Sequence, residues 1–403
     1  MSDGVVRATK ATVVPPTVDR GPRVATVAVF FAHGLLFASW TAHIPQVKSH
    51  LHLDDAGLGL ALLGAPLGSV SAMFASAHLL PRFGSKQIVR AGLLGYCAAG
   101  TGVGVAGSLL TLFVAMFVWG AFQGALDVSM NTQAVAVERW SRRPLMSGFH
   151  GYWSIGAFAG AGVGVVGVAI GLSLSLQLLL LGVLVLMVVG GLTTRMLPDA
   201  SSPAVTRAVG PSVRWFSRPV LVLGVIAFAS MLCEGASADW ASVYLRGPLH
   251  SSATTAGLGY AAFALAMVVF RLSGNRLLAR FSARWVLPVL AAIATVGFIM
   301  GLVGERDVST IAGFACLGIG LALIVPTVFS AAGRLPGLNP GTAIATVSAC
   351  GWLGFVCGPP MIGWLASVTS LRSALGVLPV LTTCIVVFTA FALTLRTDPL
   401  ASR

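Results

Sequence analysis

Glu234 lies near the middle of an apolar stretch of this 403-residue chain, and no Lys or Arg lies within one helical turn of it. A carboxyl group in such a stretch is costly, so it is commonly retained for a function such as binding and releasing a proton. Glu234 is therefore the leading candidate for proton binding. The competing interpretation is a hydrogen bond to the backbone of a neighbouring helix.

A second set of polar residues is spaced so that its members lie on one face of a helix. Gln123, Asp127 and Asn131 are each four residues apart, which places them on one helical stripe. His150, on the next apolar stretch, is expected at a similar depth, so an Asp127–His150 pair would be able to pass a proton. The alternative is a hydrogen-bond network that joins the two helices.

Three further charged residues lie in or beside apolar stretches. Arg271 would attract an anionic substrate, pair with a carboxylate, or extend its side chain to the membrane surface. Asp239 follows Glu234 by five residues and points about 140° away from it on a helix. Asp239 is instead predicted to pair with Arg246, two turns further on, as a structural contact or a gate.

Polar and aromatic residues in the same stretches are candidates for contacting a substrate. Aromatic rings in a cavity suit an amphipathic or ring-containing molecule, but Trp near a helix end also forms the ordinary interfacial belt of membrane proteins. That alternative applies above all to two of the candidates, Trp40 and Trp240. The full set is Gln123, Asn131, Trp153, Ser154, Thr327, Arg271, Trp40 and Trp240.

The composition indicates that these residues are carried by membrane-spanning helices. Hydrophobic residues make up 56% of the chain and charged residues only 9%, against about 25% charged in soluble domains. Apolar stretches of about 18 residues or more are typical of transmembrane helices. We therefore predict an all-α membrane protein with twelve spans, at residues 24–46, 55–80, 87–107, 109–136, 146–170, 172–194, 219–245, 255–279, 284–303, 308–333, 341–367 and 373–395.

The motifs of enzymes and ATP-driven proteins are not found in the sequence. There is no Walker loop and no HExxH, and the six cysteines form no CxxC pair. We expect no enzymatic activity, no metal and no cofactor. An ion gradient is then the natural energy source, with protons favoured over sodium because His and carboxyl groups dominate the candidates.

The basic residues predict the orientation in the membrane. With a cytoplasmic N-terminus, only Lys48, Arg246, Arg306 and Arg372 of the 25 Lys and Arg residues lie on the outer side, a split of 21 to 4. Such an excess is typical of cytoplasmic loops, so both termini are predicted to be cytoplasmic, in the cytoplasmic membrane. The net charge of +13 is thus explained without nucleic-acid binding.

The sequence repeats itself after six spans, with an offset of 198 to 200 residues. Copies six spans apart have the same orientation, so the halves are related by an axis along the membrane normal. The matching segments are Ala56–Gly59 with Ala256–Gly259, Trp40 with Trp240, and Leu79–Lys86 with Leu277–Arg284. The predicted divisions are a tail at 1–23, a six-helix bundle at 24–195, a linker at 196–218, a second bundle at 219–395 and a tail at 396–403.

The repeat also predicts where a central path would lie. Glu234 corresponds to Gly34, so the neighbouring His33 lies at a matching depth and either faces Glu234 across a cavity or packs within its own half. The first and fourth helices of each half are expected to line the path. Gly34, Asp127, Glu234 and Thr327 are then predicted to be accessible from water.

Several segments resemble the major facilitator superfamily, and its MosC-like group in particular. They are Trp40–Pro45, Leu126–Asn131, Gly148–Ser154 and Glu234–Trp240. The loop between the second and third spans matches that superfamily's G-x-x-x-D-R-x-G-[RK] motif at Arg82, Gly84 and Lys86, with Pro81 at the acidic position. The resemblance implies two pseudo-symmetric six-helix bundles and a secondary transporter.

The leading hypothesis is a proton-coupled transporter of a small organic solute that works by alternating access as a monomer in membrane lipid. Multidrug efflux is an alternative with the same sequence features, and a sensor that transports nothing is a second alternative on the same scaffold.

Overall fold

The computed structural model describes residues 20–141, 145–198, 217–335 and 340–394, and its regular elements are all helical. The predicted tail at 1–23 lies outside these residues up to position 19, as does most of the predicted linker at 196–218. The tail at 396–403 lies entirely outside them. The predicted all-helical class is confirmed.

The described residues of the first half form seven α-helices. A 3₁₀ turn, Thr41–His43, separates the first two, and a π-helical turn, Leu186–Gly190, extends the last. The helices are α1 (Gly21–Ser39), α2 (Ile44–His50), α3 (Asp55–Leu62), α4 (Gly64–Val103), α5 (Leu109–Ser141), α6 (Met146–Ala169) and α7 (Leu174–Val185).

The part of the second half that the structure describes forms eight α-helices. One pass is divided between α11 and α12, and the last between α14 and α15. The helices are α8 (Arg218–Arg246), α9 (Ala253–Arg280), α10 (Ala283–Gly304), α11 (Asp307–Leu321), α12 (Ile324–Ala332), α13 (Pro340–Val368), α14 (Leu371–Leu375) and α15 (Val377–Thr394).

Twelve membrane passes follow from these helices. Eleven helical segments of the described chain are long and apolar enough to cross a membrane, and one of them, Asp55–Val103, has 49 residues. A helix of that length would extend roughly 70 Å, more than twice the hydrocarbon thickness. Gly84, with φ 75° and ψ 159°, breaks it into two passes. This conformation favours glycine because a Cβ atom would be strained there.

The two halves touch closely at the end of the bundle where Trp40 and Trp240 lie, here called the tryptophan end. A Cβ atom built on Gly59 would lie 2.5 Å from the carbonyl oxygen of Pro359, and one on Gly257 would lie 2.9 Å from the Cβ of Ala42. Both glycines belong to the repeated Ala-Gly-Leu-Gly segment. The absence of a side chain at these positions lets helices of opposite halves approach each other.

A hydrogen bond between the halves at the tryptophan end follows from a proline. Pro45 has no N–H, so it cannot supply the usual i+4 donor to the carbonyl of Thr41. In hydrocarbon such a carbonyl needs another partner. Ser242 of α8 provides it, donating from Oγ to the Thr41 oxygen at 2.7 Å, and both residues are buried.

The four basic residues that the sequence places on the outer side of the membrane lie in or beside turns at the tryptophan end. Most of them are bound locally. Lys48 pairs with Asp55, and Arg372 pairs with Glu305. The four residues are Lys48, Arg246, Arg306 and Arg372.

Candidate functional site

Arg271 of α9 joins polar groups from both halves. Its Nη2 lies 3.4 Å from Oε2 of Glu234 on α8, and its Nη1 donates to Oγ of Ser154 on α6 at 3.0 Å. Its Nε donates to the carbonyl oxygen of Ala322 at 3.4 Å. The guanidinium therefore connects α8 and the α11–α12 break of its own half with α6 of the other half.

The carbonyl of Ala322 is available because of the local sequence. Its i+4 residue is Pro326, which has no N–H, and the helix is interrupted between Leu321 and Ile324. The resulting free acceptor inside a membrane bundle must find a donor from elsewhere. Arg271 supplies it, so one proline fixes the orientation of the guanidinium.

Glu234 has no basic residue within one turn of its own helix, but it is not isolated in the fold. Arg271 lies 37 residues further along the chain, but the antiparallel packing of α8 and α9 brings the two side chains together. Of the three alternatives for Arg271, the structure shows pairing with a carboxylate. The side chains of Arg271 and Glu234 remain 17% and 14% exposed, so the pair is partly accessible rather than sealed in a core.

The expected Asp127–His150 pair does not form in the described structure. The Asp127 side chain is bonded on its own helix, and the His150 ring instead packs edge-on against Phe30, with the ring centres 5.4 Å apart. His150 is exposed and lies within electrostatic reach of Arg271. Its backbone carbonyl accepts from Ser154 Oγ at 3.2 Å. His150 thus belongs with the Arg271 cluster and not with Asp127.

Asp127 and Asn131 do share the predicted stripe on α5. Nδ2 of Asn131 donates to the backbone oxygen of Asp127 at 2.8 Å and to its Oδ1 at 3.3 Å. Gln123, Asp127 and Asn131 are each half-buried. The stripe is therefore a hydrogen-bonded and partly accessible face, without a basic partner for Asp127 among the contacts described.

His33 packs within the first half and does not face Glu234. Trp153 Nε1 donates to His33 Nδ1 at 2.7 Å, and His33 is only 3% exposed. The indole N–H is a donor only, so Nδ1 must act as the acceptor. The neighbouring Gly34 does not line a path either, because a Cβ there would lie 2.2 Å from the carbonyl oxygen of Trp153. Its prediction as a water-accessible position is wrong.

Trp40 and Trp240 are buried at the tryptophan end, 3% and 0% exposed. Trp40 packs edge-on against Trp119, with ring centres 6.0 Å apart. An interfacial belt would place both rings against lipid, so that alternative is wrong for these residues. Nor does the structure bring either ring into contact with Arg271, and Trp240 lies roughly 9 Å beyond Glu234 along its helix.

The predicted Asp239–Arg246 ion pair is also absent from the described contacts. Arg246 Nη1 instead donates to the backbone oxygen of Ser251 at 2.7 Å, and Ser251 Oγ donates to Asp307 at 2.6 Å. The turn after α8 leaves that carbonyl closer to the guanidinium than a carboxylate seven residues earlier. Asp239 is half-buried.

Sequence analysis missed Tyr260. This buried residue of α9 lies within electrostatic reach of Glu234, Arg271 and Asp239. The signal was present, since Tyr260 and Arg271 are eleven residues apart and therefore lie on one face of the helix. Thr327, a predicted contact residue, is half-buried one turn beyond the α11–α12 break.

Comparisons with known proteins decide the family. The Major Facilitator Superfamily profile matches residues 223–403. An uncharacterised MFS-type transporter of Yersinia pestis is 32% identical over 354 residues, which cover 88% of this chain and 91% of that protein. The chain belongs to the major facilitator superfamily.

Two further similarities agree with this assignment. The membrane protein MosC of Rhizobium meliloti is 32% identical over 346 residues, 86% of this chain and 84% of MosC, which confirms the resemblance to the MosC-like group. A mutant of the nucleoside transporter NupG superposes with a TM-score of 0.73 at 11% identity, over 93% of this chain and 99% of that one. The latter shows the shared fold.

This major facilitator transporter therefore has a charged contact where its halves meet. A carboxyl group is able to bind a proton, whereas a guanidinium stays charged. Proton binding at Glu234 would remove the partner of Arg271 and change what Arg271 needs from its surroundings.

Proposed function

We propose that this major facilitator protein is a proton-coupled secondary transporter that moves a small organic solute across the cytoplasmic membrane by alternating access. It acts as a monomer in membrane lipid, with Glu234 as the proton-binding residue. The observation that carries this proposal is the Arg271 cluster, which joins Glu234 in one half to Ser154 in the other.

The cluster supports coupling because proton binding and movement of the halves act on the same side chain. Arg271 is oriented by the Ala322 carbonyl, paired with Glu234 and hydrogen-bonded to Ser154. When Glu234 takes up a proton, the guanidinium loses one of the two contacts that hold it in its own half, so its position relative to Ser154 of the other half is free to change. A change in the charge of one carboxyl group thus alters the contact between the halves.

The proposed orientation places the tryptophan end outside. The split of 21 to 4 basic residues favours cytoplasmic termini, and the close contacts at Gly59 and Gly257 then close the transporter on the outer side. A reporter fused after Arg403 should be active only in the form that requires a cytoplasmic location. Activity of the form that requires an external location would reverse the orientation.

The test of function begins with the solute. Metabolites retained by cells that express the chain are compared with those of cells without it, and the solute that differs is then used in reconstituted vesicles. Wild type should accumulate it when a proton gradient is imposed. The variant Glu234→Gln should still exchange labelled solute between the two sides but should not accumulate it, because it no longer binds the coupling proton.

The variant Asp127→Asn tests the alternative that the coupling proton binds at Asp127. If Asp127 carries the proton, accumulation is lost in this variant and retained in Glu234→Gln, which would move the coupling site to the first half. Normal proton-driven accumulation by both variants would refute proton coupling through either carboxylate.

A further inference from the structure

The two partners of the Arg271–Glu234 pair differ in one chemical respect. Glu234 is able to be neutralised by a proton, but Arg271 cannot be deprotonated in a protein. The charge that proton binding leaves uncompensated is therefore always positive. A buried cation without a partner is strongly unfavourable, so another anion that enters the site will be bound in place of the carboxylate.

We infer that the solute carried by this transporter is an organic anion whose carboxylate binds Arg271 in the place that Glu234 leaves when it is protonated. This inference rests on the proposed function and names the substrate class of the same site. A cationic or neutral solute would leave the positive charge of Arg271 uncompensated.

The contacts of Arg271 leave room for such an exchange. Glu234 reaches it through a single nitrogen–oxygen contact of 3.4 Å, at the long end of hydrogen bonding. The bonds to Ser154, Glu234 and Ala322 engage three of the five N–H donors of a guanidinium. A carboxylate that meets the guanidinium edge with both oxygens would form the stronger, bidentate contact.

Charge balance makes the exchange reversible. Before the exchange the site holds Arg271 and an ionised Glu234, with no net charge. After it, the site holds Arg271, the solute carboxylate and a protonated Glu234, again with no net charge. One proton and one monoanion therefore enter together, and the binding of each favours the binding of the other.

Three other ionisable groups surround the pair and bear on its pH dependence. His150 of α6 lies within electrostatic reach of Arg271, and Tyr260 of α9 within reach of both members of the pair. Asp239, further along α8, lies within reach of Tyr260. Of these, His150 is the one whose charge would also favour an anion at acidic pH, so the experiment must separate it from Glu234.

Acetate is the probe for the test, with acetamide and methylammonium as the neutral and cationic counterparts. Binding to the purified full chain is measured by titration calorimetry at neutral and mildly acidic pH. Wild type should bind acetate more tightly at acidic pH, with uptake of about one proton per acetate. Glu234→Gln should bind acetate at neutral pH about tenfold or more tighter than wild type, as expected for one charged hydrogen bond.

The matched control is Glu305→Gln. It makes the same substitution in the exposed Arg372–Glu305 pair, so it should leave acetate binding as in wild type. Acetate affinity of Glu234→Gln should not depend on pH. A steep remaining pH dependence in Glu234→Gln would assign the proton to His150 and overturn the exchange at Glu234.

Other outcomes separate this inference from the proposed function. Equal acetate affinity in wild type and Glu234→Gln, or a gain for methylammonium instead, overturns the anion site. If Glu234→Gln cannot be purified, His150→Gln takes its place: acetate binding that still tightens at acidic pH supports Glu234, and loss of that pH dependence overturns the exchange at Glu234. Proton-driven accumulation of a neutral or cationic solute would support the proposed transporter and overturn the inference that its solute is an anion. Proton-linked acetate binding without proton-driven accumulation of any solute would support the anion site at Arg271 and overturn the proposed transporter.

Discussion

The interiors of the two halves hold their polar side chains in different ways. The interior contacts described in the first half are hydrogen bonds, such as Trp153 to His33 and His43 to Gln177, while its Lys48–Asp55 ion pair lies at the tryptophan end. The second half has the charged pair of Arg271 and Glu234. The two halves share repeated segments in sequence, so the difference lies in individual polar residues, which in the first half join one helix to another. The second half holds the ion pair on which the proposed proton binding rests.

The largest expected effect concerns stability when one carboxylate of each half is neutralised. Glu234→Gln leaves Arg271 without its counter-charge and should lower the free energy of unfolding by on the order of 3 kcal/mol. Asp127→Asn should lower it by less than about 1 kcal/mol, because the amide oxygen still accepts from Asn131. Denaturant unfolding of the purified proteins checks this, and equal losses would contradict the comparison.

The double variant Glu234→Gln with Arg271→Gln provides the control for that result. It removes both charges, so no buried charge is left unpaired and most of the lost stability should return. A double variant less stable than Glu234→Gln would mean that Arg271 stabilises the fold mainly through Ala322 and Ser154.

A second effect compares the two glycines that bring the halves together. Gly59→Ala places a methyl group 2.5 Å from a backbone oxygen, while at Gly257 the nearest atom, at 2.7 Å, belongs to the side chain of Val165. The backbone at Pro359 moves away from a new methyl group less easily than the side chain of Val165 does. Gly59→Ala should therefore destabilise the closed tryptophan end by about 2 kcal/mol, and Gly257→Ala by about 1 kcal/mol. Gly102→Ala, with open space around its Cβ position, should change nothing.

The separation of the two halves at the tryptophan end can be measured between spin labels. The labels are placed on the exposed residues His50 and Pro248, in a background without native cysteines. Gly59→Ala should shift the distribution to longer distances more than Gly257→Ala does. The reverse order would show that the backbone at Pro359 adapts more easily than the side chain at Val165.

The smallest effect tests whether His33 is only structural. Trp153→Phe removes the bond to His33 and should cost about 1 kcal/mol of stability, without changing proton-driven accumulation. Trp285→Phe, at a 69% exposed ring, is the control and should cost less. Loss of accumulation in Trp153→Phe at unchanged expression would place His33 on the proton path and weaken the distinction between the halves.

The number of passes and the helical class were predictable because they depend on properties along the chain. Length and apolar content mark a span, and Gly84 supplies the break that divides the longest helix. The site was only partly predictable, because its contacts depend on how helices are rotated against each other. The sequence identified Glu234, Arg271 and Ser154 singly, and nothing in their spacing shows that they meet.

The errors have similar causes. Asp239 and Arg246 share a helical face, but the turn that follows offers Arg246 a nearer carbonyl at Ser251. Trp40 and Trp240 lie near helix ends, yet both are buried, and Trp40 packs against Trp119 of α5. A pattern within one helix could not reveal either neighbour.

The sequence repeat also does not predict which residues meet across the two halves. Gly59 and Gly259 occupy equivalent positions in the repeated segment, but only Gly59 meets the other half, while Gly259 faces Leu245 of its own half. The cross-half contact of the second copy falls on Gly257 instead. Equivalent positions in sequence have therefore diverged in what they touch.

The hydrogen bond from Ser242 to the Thr41 carbonyl has a consequence for how the protein is made. The two residues are 201 positions apart, so the first half is synthesised and inserted long before the donor emerges from the ribosome. Until then the Thr41 carbonyl must accept hydrogen bonds from water or from lipid headgroups. A first bundle produced alone would keep this open acceptor at its membrane surface, and co-expression of the second bundle should restore its stable insertion.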